Sequence, residues 1–101
     1  MTTIPIPADL PGQPLDELKQ WLAITGTRDD ALLVRLLETA WQVCLQFTGI
    51  AAAEWSELDE SLRHGIVRHA AHQYRERDRG EASAMPAAIA ALWRPWRMVR
   101  L

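Results

Sequence analysis

"RDDALLVRLLETAWQVCLQFTG", residues 28–49, is the stretch on which the fold turns. Its apolar residues, Leu33, Leu36 or Leu37, Ala40, Trp41, Cys44 and Phe47, recur every three or four positions and never alternate by two. That spacing lines one face of a helix and excludes a half-buried strand. Thr27, with Asp30 three residues on, reads as an acidic capping box at the start. Gly49 sits where a left-handed C-terminal cap is wanted. The reading is a helix over 28–48 whose length and continuous stripe mark it as the central helix of the core.

The same period extends to either side. "LDELKQWLAI" spaces Leu15, Leu18 and Trp21 or Leu22 by three and four, with Asp16 and Glu17 in the first turn, where the helix dipole favours acids. This predicts a first helix over about 15–24, ended by "ITGT". After a linker, "IAAAEWSE", around Trp55, the stretch "LDESLRHGIVRHAAHQYRERDRG" places Leu58, Leu62, Ile66, His69 or Ala70, and Tyr74 on one face. A third helix over 59–79, capped by Gly80, follows. Gly65 lies inside it at a cost of up to ~1 kcal/mol against alanine, so it marks either a close helix crossing or a tolerated weakness. Pro86 suits the first position of a short helix over 86–94, with Ile89, Leu92 and Trp93 on one face. Pro95 then stops it, because the residue before a proline is pushed out of the helical region.

The expected fold is therefore all-α, a small bundle of three main helices plus a short fourth and an extended C-terminal tail. Residues 1–14 form a Pro-rich N-terminal arm, and residues 15–101 a single helical domain whose tail spans 95–101. The leader "IPIPADLPGQP" reads as an arm reaching a neighbour or as a disordered start, and its prolines favour the second.

At 101 residues there is room for one domain, burying roughly two-thirds of the surface of the unfolded chain. A hydrophobic share of 49% and a charged share of 24% are those of a globular chain. No apolar run approaches the roughly 20 residues of a membrane span, so no membrane is expected. The start lacks a signal peptide's basic and apolar segments, and the single Cys44 makes no internal disulfide, which fits a reducing cytoplasmic origin. The net charge of −2 hides a division. Residues 1–60 hold ten acids against three bases, a balance of −7, and residues 61–101 hold eight arginines against Glu76, Asp78 and Glu81, a balance of +5. Such a split serves an acidic partner or the complementary face of a sister subunit, unless folding intermingles the signs.

Chemistry is sparse. His64, His69 and His72 share the third helix, and His69 and His72 with Glu76 could share a face. They lack the HExxH spacing and a second cysteine, so they read as interface or semi-buried histidines and no metal is expected. Cys44 falls on the apolar stripe, where it acts as a small hydrophobe. Ser56, Ser61 and Ser83 stand in no nucleophile motif, and no glycine-rich phosphate loop is present. No enzyme and no cofactor follow. "LKQWLAITGTRDDALLVRLLE" has the length and central glycine of a helix-turn-helix, but Asp29 and Asp30 would stand where the recognition helix meets phosphates. "RERDRG", residues 75–80, alternates its charges as a solvated helix end does.

The order of blocks nevertheless forms a pattern. "DDALLVRLLETAWQVCLQFTG", then "AAHQYRER", then the ending "ALWRPWRMVRL" follow one another across residues 14–101. In these the chain resembles the head–tail connector proteins of long-tailed bacteriophages, also called head completion, adaptor or gp6-like DNA packaging proteins. Lys19, the sole lysine, and the crowded histidines depart from that pattern.

The resemblance implies a structural, non-enzymatic virion protein that forms a ring, a dodecamer, under the portal. It would extend the DNA channel and carry the stopper or tail, with DNA only as passing cargo. Its place would be the virion neck, reached from the host cytoplasm during assembly. A ring needs a patch that meets a different patch on the next copy, and Asp29, Asp30 and Glu38 facing Arg68, Arg75, Arg77 and Trp93 are the expected contacts. Trp96, Arg97, Met98, Val99, Arg100 and Leu101 form an aromatic and basic strip without an assigned place in the core, expected to dock on the portal. The competing class is a small helical DNA-binding protein, a regulator or small terminase-like subunit.

Overall fold

The computed structural model describes residues 4–77 and 85–97. Four α-helices, α1 (Gln13–Leu22), α2 (Asp30–Thr48), α3 (Glu60–Glu76) and α4 (Ala87–Trp93), are joined by irregular segments and two single 3-10 turns, Trp55–Glu57 and Arg94–Trp96. No strand occurs among the described residues, so the chain is all-α as its periodicity requires. The last three residues of the expected third helix are divided by the limit of description: Arg77 ends α3 as its cap, and 78 and 79 lie outside the described residues.

α2 buries Leu33, Leu37, Ala40, Trp41, Cys44, Leu45 and Thr48 along one face, and Leu36 and Phe47 sit half-buried at its edges. Gly49 adopts φ 79° and donates its N–H to the Leu45 carbonyl at 2.8 Å, the left-handed cap expected there. The other end differs from expectation. The Asp29 side chain makes no capping bond, and the Asp30 N–H donates to the Thr27 carbonyl rather than to a capping side chain. Both carboxylates turn to more distant partners, Asp29 to Tyr74 and Asp30 to Lys19.

α2 touches all three other helices, as a central helix should, and α3 is likewise packed by α1, α2 and α4. The sequence of α3 explains this. Gly65, Ala70 and Ala71 are buried small residues that let neighbours come close on several sides, while Leu62, Ile66 and Val67 supply apolar area. Asp59 opens the helix by accepting from the Ser61 N–H at 3.1 Å. At Gly65 a β-carbon would run into the indole Nε1 of Trp93 and come within 2.8 Å of its Cε2. The glycine therefore marks a close crossing: Trp93 of α4 lies in its notch, 0% exposed, with the indole N–H donating to the Leu62 carbonyl at 3.3 Å.

Two segments expected outside the core contribute to it. The described part of the leader, from Ile4, lies on the body: Pro7 is buried, Leu10 is 1% exposed, and the Pro5 carbonyl accepts from the Trp41 indole at 2.9 Å. Prolines here restrict a bound segment instead of loosening a free one. The segment runs directly into α1, which starts at Gln13 with Pro14 in its first turn. In the linker after α2, Trp55 is buried and stacks on Trp41 at a tilted 6.3 Å. Glu57 accepts from the Glu54 N–H at 2.9 Å and holds that turn.

Candidate interaction surfaces

The residues expected to join copies are largely committed inside the subunit. Asp29 accepts a 2.6 Å hydrogen bond from the Tyr74 hydroxyl, tying the start of α2 to the end of α3, and Asp30 pairs with Lys19 of α1 at 2.9 Å. Glu38 is half-buried on α2. Helix two thus offers no acidic wall, because its first carboxylates close the bundle. Trp93 is likewise corrected: an indole buried to 0% against Gly65 touches its own core and no neighbour. Arg68 lies over the Trp21 ring at 5.8 Å and Arg77 over the Tyr74 ring at 4.1 Å, while Arg75 is exposed.

The expected docking strip divides at Arg97. Trp96 closes the Arg94–Trp96 turn, is 39% exposed, and donates from its indole to the Ser61 hydroxyl at 3.1 Å. Arg97 lies over the Phe47 ring at 5.2 Å. These two residues belong to the body, since the 3-10 turn at Pro95 folds them back onto α3 and α2. Met98, Val99, Arg100 and Leu101 lie outside the described residues.

Acidic groups gather instead around a groove of about 900 Å³ between α1 and the first turns of α3. Glu17 stands on one wall and Asp59 and Glu60 on the other, with Arg63 and His64 as the bases among the lining residues. Arg63 is half-buried, and its Nε is buried without an acceptor in the described residues. Trp21 forms the aromatic part of the lining at 44% exposure, its ring edge-on to His64 at 5.5 Å. Spacing alone left Trp21 and Leu22 as alternatives for the buried face of α1. Leu15 and Leu18 are the buried leucines, Leu22 is half-buried, and the larger Trp21 is turned outward.

The histidines do not act as a set. His69 is buried against Trp93, with ring centroids 6.1 Å apart, His72 is half-buried and His64 is exposed. Burial, and then the neighbouring His72, hold the His69 pKa below its ordinary value of 6.5. Burial also pushes the Cys44 thiol up to about 12, which suits a core residue and not a nucleophile. Among the described residues, no three His, Cys, Asp or Glu side chains are grouped to hold a metal ion. No described helix is long and apolar enough to cross a membrane.

A family model described as phage gp6-like head-tail connector protein matches residues 13–90, from the first residue of α1 into α4. No curated protein and no solved structure matches the chain.

Proposed function

Because the chain belongs to the phage gp6-like head-tail connector family, a structural component of the virion neck, we propose that it assembles as a ring beneath the portal. There it lengthens the DNA channel and presents a platform to the stopper or tail. The observation that carries this is the match itself, which covers α1, α2 and α3 in full and the first half of α4 and so concerns most of the packed body rather than one motif.

The geometry supports a passive, load-bearing role. α3 is clamped on three sides, and cross-links such as Tyr74 to Asp29 and the Trp41 indole to Pro5 tie distant parts of the chain together. A subunit held in this way can serve as a rigid wedge, so that the contacts between copies, not rearrangement within one copy, set the shape of the ring. Residues 98–101 add Arg100 and the apolar Met98, Val99 and Leu101 beyond the anchored Trp96, a composition suited to gripping the portal above.

The test is to mix the full chain with purified portal rings and to image them by electron microscopy, with a gel shift on random duplex DNA alongside. An added layer of density on the portal, and no shift at physiological salt, is the expected result. A tight, salt-sensitive shift with no added layer would move the protein to the DNA-binding class.

A further inference from the structure

A closed ring needs two different complementary patches on each subunit, far enough apart to face different neighbours. With Asp29 and Asp30 committed internally, the α1–α3 groove gathers three carboxylates, of which Asp59 also caps α3. Glu17, Asp59 and Glu60 face a groove whose lining also holds Arg63 and His64, and Trp21, 44% exposed, lies beside them. Carboxylates next to an exposed indole form a receptor for a guanidinium group, which can pair with the first and stack on the second. The structure already shows this affinity for arginine, since Arg68 approaches Trp21 within the subunit.

Two arginine-bearing surfaces could enter such a groove on another copy. Arg94 and Arg97 flank Trp96, which is bonded to Ser61 on the groove's own lining, so that surface adjoins the groove within one subunit. Complementary patches that adjoin allow two copies to pair about a two-fold axis, a contact that closes at the dimer. The second surface is at the other end of α3. Arg28 and Arg75 are exposed and flank the Asp29–Tyr74 hydrogen bond, and Arg77 covers the Tyr74 ring. It lies nearly the full 17-residue helix from Glu60, roughly 24 Å along the axis. A subunit with an acidic groove at one end of α3 and arginines at the other repeats head to tail.

We propose that the α1–α3 groove is the acceptor half of the contact between copies, and that it receives the Arg28 and Arg75 end of a second copy of this chain. The incoming guanidinium groups meet Glu17, Asp59 and Glu60 and lie against Trp21. This rests on the ring reading above and specifies which surfaces make the ring.

Cysteine pairing tests it. Glu60 and Arg75 are exposed, and about 22 Å of helix separates them, well beyond the roughly 7 Å limit for a disulfide within one chain. Cys44, 0% exposed, stays out of the reaction. Full-length Glu60→Cys protein is mixed with Arg75→Cys protein, and separately with Arg94→Cys protein, on portal rings under mild oxidation, and the products are mapped by mass spectrometry. The expected result is a 60–75 bridge between chains, and a ladder of covalent oligomers from the doubly substituted chain. Charge reversal provides the second arm: Glu17→Arg with Glu60→Arg weakens association at least tenfold by sedimentation, and pairing that variant with Arg28→Glu, Arg75→Glu protein restores it. A 60–94 or 60–60 bridge, or rings unaffected by the reversals, overturns the groove assignment and leaves the ring standing. Wild-type protein that adds no ring to the portal overturns both.

Discussion

At the scale of the residue, Gly65 and His69 show how tightly α3 is committed. Replacing a helical glycine by alanine ordinarily gains up to about 1 kcal/mol, but at Gly65 the added methyl meets an indole with no room to swing. Overpacking of a filled core costs about 1–3 kcal/mol and wins. Gly65→Ala is therefore expected to lower the urea midpoint, and an unchanged or raised midpoint would disprove the notch. His69 is buried without a partner for its Nδ1 among the described residues, and its folded pKa lies below 6.5. As pH falls through 6.5, the unfolded chain takes up a proton before the folded one does, so stability falls until the folded site itself is protonated. Urea melts from pH 7.5 to 5 should show this fall, and His69→Leu should flatten that part of the profile. Equal slopes in the two proteins would remove His69 as its source.

At the scale of the element, the N-terminal segment is the sharpest test, because it enters the core through Pro7, Leu10 and the Pro5 carbonyl. Leu10→Ala should cost about 2–5 kcal/mol, as for any buried leucine. A free arm would show almost no effect in the same denaturant titration. The α-helices themselves were legible because each announces itself within its own length: the stripe from Leu33 to Cys44, the glycine after Thr48, and prolines on both sides of α4. What stayed hidden depends on partners far along the chain. The hydrogen bond from Tyr74 to Asp29 spans 45 residues and that from Trp41 to Pro5 spans 36, and no local spacing encodes either. Trp55 has no periodic neighbours and so read as linker, although it is buried beside Trp41. Trp21 and Leu22 differ by one helical step, which periodicity over ten residues does not resolve. The candidate surfaces followed suit: the sequence showed which half carried acid, but not that Asp29 and Asp30 would be consumed by Tyr74 and Lys19.

At the scale of the whole molecule, the described body ends at Arg97. Deleting residues 98–101 leaves the Trp96 bond to Ser61 in place, so helicity by circular dichroism should be unchanged while the layer on portal rings is lost. Retained attachment would shift the portal contact onto the body. The Gly65 notch also bears on how the chain is made. Domains synthesised from the N-terminus begin to fold as they emerge, yet the side chain that fills the centre of α3 comes from residue 93 of 101. Until translation delivers Trp93, its slot between α2 and α3 is unfilled. A chain that ends before that point keeps the slot and loses the Leu62 hydrogen bond, so it should bind an apolar dye that the full chain excludes.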